Sequence, residues 1–191
     1  MTLTLRVETS PLWLKTVLED FDAFLLDHAA AERKASAVAL SLISHYPDRR
    51  RLVAAMMDLA REELEHYYQV YRQLVARGLT LAKDSKDNYV RELRQQIRSG
   101  RDEYFLDRLL VAGVVEARGC ERFGLIADAL AGDALGDFYR GITASEARHE
   151  ELFIDLARAY FPSDQIDSRL DTLLEAEASI IAALEVRAAL H

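Results

Sequence analysis

Glu63 and His66 stand three residues apart, and Glu146 and His149 repeat the spacing. On a helix this places a carboxylate and an imidazole on one face, where both can donate to a single cation. The surrounding residues turn that face inward. Leu52, Met56, Leu59, Glu63, His66, Val70 and Leu74 follow alternating steps of three and four, as do Leu135, Phe138, Ile142, Glu146, His149, Phe153 and Leu156. Neighbouring Glu62 and Glu65 fall off the stripe. Two more stripes each carry one carboxylate: Glu32 within Leu25, Ala29, Ser36, Ala39 and Ile43, and Glu116 within Phe105, Leu109, Ala112, Cys120, Phe123 and Ala127. Glu32 precedes the first pair by 31 residues and Glu116 precedes the second by 30, so the chain reads as two similar helical hairpins.

Four carboxylates facing a core cost several kcal/mol each unless cations neutralise them. Two divalent metals supply that charge. Carboxylate and imidazole suit iron or manganese, and no thiolate set is present to favour zinc or iron–sulfur clusters. One Glu from each of two helices and a Glu-x-x-His from each of the other two is the donor pattern of dinuclear carboxylate bundles. In the simplest assignment Glu32, Glu63 and His66 hold one metal and Glu116, Glu146 and His149 the other, with Glu63 and Glu146 able to bridge. A lone Glu-x-x-His usually marks a solvated helix face; two in core register, each preceded by an in-register Glu, exclude accident. The ligand set does not choose among C–H hydroxylation, desaturation, radical generation, iron oxidation and storage, or peroxide dismutation with manganese.

Helices must position these groups. Half of the 191 residues are hydrophobic, with only eight glycines and three prolines, the balance of an all-α globular protein. Ser10-Pro11 opens a short helix, and Asp20 or Asp22 caps a longer one ending near Tyr46. Asp48 starts the next, which ends at Gly78. A polar connection, LTLAKDSKDN, leads to a short basic helix, YVRELRQQIR. A third long helix covers roughly 102–131, Asp133 caps a fourth that stops at Pro162, and a final amphipathic helix occupies about 164–187. The expected architecture is a four-helix bundle with a long crossover carrying a short helix, plus N- and C-terminal helices, in a single domain over 1–191.

A net charge of −8 excludes polyanion binding by bulk charge, leaving only local basic patches. The lone Cys120 cannot form an internal disulfide, and the first residues lack a secretory pattern, so a cytoplasmic location is expected. No apolar run approaches the roughly 20 residues of a membrane span.

The stretches DHAAAERKASAVALSLISHYPD, AREELEHYYQVYRQL, LLVAGVVEARGCERFGLI and SEARHEELFIDLA resemble the tRNA hydroxylases that act on 2-methylthio-N-isopentenyl adenosine beside the anticodon. The resemblance runs from about residue 10 to 185, and the GVVEARGCERF segment is its most specific part. It implies a ferritin-like non-haem diiron monooxygenase. The implied reaction inserts one atom of dioxygen at the isopentenyl side chain, with electrons from an external reductase system and the other atom leaving as water. The implied metal ligands are Glu32, Glu63, His66, Glu116, Glu146 and His149. The competing expectation is a ferritin-like protein of iron oxidation, storage or peroxide handling, which needs no basic patch.

With a tRNA anticodon stem-loop as partner, two arginine groups gain meaning. Arg91, Arg94, Arg98 and Arg101 form one basic stripe and Arg49, Arg50 and Arg51 a second cluster, both placed to grip phosphates. Tyr89 and Tyr104 are positioned to stack on unpaired bases. Cys120, one turn beyond Glu116, either lines the pocket or packs as a small hydrophobe. Arg148 and Glu62 are candidates for a network around the ligating histidines. His28, one turn before Glu32, reads as a packed or hydrogen-bonded histidine and not as a seventh ligand.

Overall fold

The computed structural model describes residues 3–84 and 86–191. Among them the secondary structure is wholly helical: α1 (Pro11–Glu19), α2 (Phe21–His45), α3 (Arg50–Ala76), α4 (Asn88–Gln95), α5 (Arg101–Ala129), α6 (Ala134–Tyr160) and α7 (Ser163–Ala183). Packing gathers the chain into two compact units. One holds Lys15–Lys86 with Val186–Leu190; the other holds the N-terminal segment through Leu14, Asp87–Glu185 and His191. The first is built on the α2–α3 hairpin and the second on the α5–α6 hairpin with α4 and α7.

Helix boundaries follow local chemistry. Asp20 caps α2 by accepting the amide of Ala23, Asp87 caps α4 through Val90, and Asp133 caps α6 through Leu135. Two stops precede proline, which bars the α conformation from the residue before it; Phe161 is extended at φ −135° and ψ 151°. Gly78, at φ 73°, turns the chain after α3 in the left-handed region that side chains with a Cβ avoid.

Two expectations are corrected. Asp48 does not cap α3; Arg49 holds that place without a side-chain cap, its guanidinium lying 5.4 Å from the Tyr46 ring centroid. The last helix stops at Ala183, about one turn earlier than its apolar pattern suggests. Beyond it Ala189 and Leu190 are buried, and the Leu190 amide donates to Asp27 at 2.8 Å, so burial of the chain's apolar end replaces another helical turn.

In the α2–α3 unit the hairpin packs Phe24, Leu25, Leu42, Leu52, Met56, Leu59 and Leu74. Within this interface the Ser36 hydroxyl donates to the Ala60 carbonyl at 2.9 Å, which satisfies the one hydroxyl on the inward stripe of α2. The α5–α6 unit has a close approach at Gly113, where an added Cβ would lie 3.4 Å from Ile154 and 3.5 Å from Phe153.

That unit also contains buried polar structure that the sequence reading missed. Arg118, fully buried, donates to both Glu177 oxygens at 2.8 and 3.0 Å, to Glu121 at 2.5 Å and to the Val7 carbonyl at 2.8 Å. The Tyr89 hydroxyl donates to Glu177 at 3.2 Å, and Thr9 donates to Glu121 at 2.6 Å. Nearby, Asp107 receives Arg98 at 2.7 Å and Arg169 at 2.9 Å. Burial pushes the Asp107 carboxyl up, but the hydrogen bonds from Arg98 and Arg169 outweigh it and hold the group below its usual range.

Candidate metal centre

Each hairpin brings its inward carboxylates and histidine together. On α2 and α3, Glu32, Glu63 and His66 each offer a donor atom, and the three lie within 4.8 Å of one another. His66 Nδ1 is 3.6 Å from Glu32 Oε2 and 3.6 Å from Glu63 Oε2. All three side chains are buried, Glu63 to 1% exposure. On α5 and α6, Glu116, Glu146 and His149 likewise offer donors within 4.8 Å of one another, with His149 Nδ1 3.8 Å from Glu146 Oε1. Glu146 and His149 are buried and Glu116 half-buried.

The donor chemistry fits a metal at each cluster. Two carboxylates in a pocket with one imidazole carry excess negative charge, which a divalent cation neutralises. Imidazole and carboxylate donors 3.6 to 3.8 Å apart leave room for one ion bonded to each at roughly 2.1 Å. Oxygen and imidazole nitrogen without thiolate is a set suited to iron or manganese. The helical register makes the arrangement rigid: every residue of the α3 stripe, from Leu52 to Leu74, is buried.

Neighbouring residues divide sharply. His28 is fully buried with Nε2 2.6 Å from Glu32 Oε1, so it is a hydrogen-bonding partner of Glu32. Cys120 is half-buried, its thiol facing the Thr143 carbonyl at 3.5 Å. Burial, aided by Glu150, Glu146 and Glu121, pushes that thiol up to about 11, so it stays protonated at neutral pH and is no thiolate ligand. Arg148 donates to the Ala144 carbonyl at 2.9 Å and the Ser145 hydroxyl at 3.0 Å along its own helix. Glu150, beside His149, is a further buried carboxylate that the stripe analysis did not isolate; its Oε1 accepts the Leu3 amide, and burial raises its carboxyl above the usual range.

The arginine groups are less uniform than the sequence suggests. Arg50, Arg51, Arg91, Arg94 and Arg101 are exposed. Arg98 is committed to Asp107 through its backbone amide, Nε and Nη2 at 2.9, 3.0 and 2.7 Å, which ties the end of the crossover to α5. Tyr89 is fully buried and stacked on His191 at 4.8 Å, so it is not the exposed stacking platform expected for it. Tyr104 is half-buried, with the Arg108 guanidinium 5.8 Å from its ring centroid.

A family model described as tRNA-(MS[2]IO[6]A)-hydroxylase (MiaE) matches residues 1–191. The chain belongs to the MiaE family. A curated relative from Pseudomonas putida (strain KT2440), named tRNA 2-(methylsulfanyl)-N(6)-isopentenyladenosine(37) hydroxylase, is 36% identical over 173 residues, spanning 91% of this chain and 84% of that protein. One of the same name from Salmonella typhimurium (strain LT2) is 30% identical over 132 residues, 69% of this chain and 48% of its own. Among solved structures, Protein 43 with aldehyde deformylating oxygenase activity from Synechococcus is 36% identical with a TM-score of 0.92, covering 98% of this chain and 94% of that one. The fold of this MiaE family member is thus ferritin-like and all-α, as the helix pattern led one to expect. Among the described residues no helix is long and apolar enough to cross a membrane.

Proposed function

We propose that this MiaE family member is a non-haem diiron monooxygenase that hydroxylates the isopentenyl side chain of 2-methylthio-N-isopentenyl adenosine beside the anticodon of tRNA. The observation that carries the reading is the pair of buried Glu/Glu/His clusters, one per hairpin, in a chain matched along its whole length by the hydroxylase family. Glu32, Glu63 and His66 would hold one iron and Glu116, Glu146 and His149 the other. When bound, the irons supply dioxygen activation. Overall, a C–H bond, dioxygen, two electrons and two protons give a C–OH bond and water, and the electrons come from an external reductase in a cytoplasmic setting.

The protein's residues contribute placement and a dry environment. Burial of Glu63 and His149 excludes bulk water from the donors, which strengthens every charge interaction there and shields reactive chemistry from side reactions. Leu59 and Met56 on α3, and Ile142 and Phe153 on α6, lock the ligands' helices in register. Cys120, one turn from Glu116, turns its protonated thiol to the Thr143 carbonyl and packs as a small side chain. The target adenine must leave the anticodon loop to reach buried metals, a cost that is small for an unpaired base.

The exposed arginines are assigned to the phosphates: Arg91, Arg94 and Arg101 on and after α4, and Arg50 and Arg51 at the start of α3, with half-buried Arg49 beside them. Arg98 is excluded from that role by its bonds to Asp107. Replacing Arg91, Arg94 and Arg101 together by alanine is expected to weaken tRNA binding and lower the slope of log affinity against log salt by roughly 0.7 to 0.9 per lost contact. Titration of labelled tRNA at several salt concentrations reads both; an unchanged slope moves the interface elsewhere.

Dioxygen uptake tests the activity. With iron-loaded protein and a reductant, tRNA bearing the prenylated base should accelerate uptake, and the same tRNA without the prenyl group should not. Equal rates with both would refute the substrate. A second reading rests on the Synechococcus protein of 36% identity, named for aldehyde deformylating oxygenase activity. Loss of the formyl carbon from an added aldehyde, with no response to tRNA, would favour it.

A further inference from the structure

We propose that His28 is a positioning residue that fixes Glu32 as a one-oxygen donor to the metal of the α2–α3 hairpin. The inference rests on the reading that this cluster binds metal. His28 lies one helical turn before Glu32 on α2, and both are buried, at 0% and 4% exposure. The two carboxylate oxygens face different partners. Oε1 is 2.6 Å from His28 Nε2, and Oε2 is 3.6 Å from His66 Nδ1, on the side of the donor cluster.

A carboxylate can bind a metal through both oxygens or through one. With Oε1 accepting the imidazole N–H, rotation that would present both oxygens breaks a buried hydrogen bond to a charged acceptor, one of the stronger kinds. His28 is itself held: its ring packs against Phe24, with centroids 5.8 Å apart, on the preceding turn of the same helix. Such outer partners fix the orientation of ligating groups in metal sites generally. The matching position on α5, one turn before Glu116, is Ala112, whose side chain has no hydrogen-bond donor. A histidine one turn before the glutamate is therefore specific to the first hairpin.

The test is a titration of the apo form of the full chain with cobalt(II), followed by visible absorption and isothermal calorimetry. Wild type is expected to bind one cobalt per cluster. His28→Leu, which keeps an apolar bulk but no donor, should weaken one of the two sites about 10- to 100-fold and alter its absorption spectrum, leaving the other unchanged. His28→Gln, whose amide can donate to Oε1, should restore most of both signals, whereas the shorter His28→Asn should not. Identical affinities and spectra in wild type and His28→Leu would overturn the positioning role while leaving the metal clusters standing. If His28→Leu does not fold, equal behaviour of the Gln and Asn variants overturns the role and a difference between them supports it. A wild-type protein that binds no cobalt at all refutes the metal reading itself, a result distinct from the others.

Discussion

Glu116→Ala is expected to leave the helical fold intact and to lower hydroxylation of the prenylated tRNA by at least about three orders of magnitude, some 4 kcal/mol of transition-state stabilisation. The α5–α6 hairpin offers two carboxylates and one imidazole, and removing Glu116 leaves Glu146 as that hairpin's one remaining carboxylate in the cluster. Because Glu116 is only half-buried, alanine opens no large cavity in the core. In the metal-free protein the substitution even relieves repulsion from Glu146, so the apo melting temperature should stay level or rise. Metal binding raises stability by RT ln(1 + [L]/Kd), about 2.7 kcal/mol at a hundredfold excess over Kd, and part of that increment should vanish. Loss of activity, retained apo stability and a reduced metal-induced shift in melting form one signature. Full turnover with undiminished iron content would remove Glu116 from the ligand set.

The second large effect concerns stability. Glu177→Ala deprives fully buried Arg118 of two hydrogen bonds, at 2.8 and 3.0 Å, and deprives the Tyr89 hydroxyl of its acceptor. An uncompensated buried charge costs about 3 to 5 kcal/mol. Glu121 remains beside Arg118 at 2.5 Å and softens the loss toward the lower figure. For a chain of this size that corresponds to a fall in melting temperature of roughly 10 °C. The sign reverses when both partners go: Arg118→Met with Glu177→Leu should recover most of the loss, since a buried pair can often be replaced by apolar side chains of similar volume. Thermal melts of the single and double variants measure the cycle. A shift under about 2 °C for Glu177→Ala, too small for a stranded buried charge, would show that this pair does not support the fold.

Much of this molecule was legible in its sequence because the candidate ligands sit in register with apolar neighbours. On α3 all seven stripe residues are buried. The other stripes depart from expectation: Leu42 is buried where Ile43 was expected, Tyr139 where Phe138 was, and on α5 the central Ala112, Glu116 and Cys120 are only half-buried. At about 100° per residue, Tyr139, seven residues before Glu146, points within about 20° of it, whereas Phe138, eight residues before, points about 80° away, so Tyr139 takes the inward seat. The Arg118–Glu177 pair escaped notice for a different reason. Pattern reading treats arginine as solvated, yet Arg118 lies on a helix buried on most sides. Its partner was detectable by the test that found Glu63: Ile166, Leu173, Glu177 and Ile180 occupy one buried face of α7. Arg98 and Tyr89 looked like surface groups because a local window shows neither Asp107 on α5 nor Glu177 on α7. Long-range ion pairing is invisible to periodicity.

The most direct measurement of the central claim is the mass of the modified nucleoside. Iron-loaded protein, a reductant and isotopically heavy dioxygen are incubated with tRNA carrying 2-methylthio-N-isopentenyl adenosine, and the tRNA is digested to nucleosides. The account predicts a nucleoside heavier by one oxygen atom, with that atom bearing the dioxygen label. An unchanged nucleoside, while dioxygen is consumed and ferric iron accumulates, would contradict it and make iron oxidation the activity of the site.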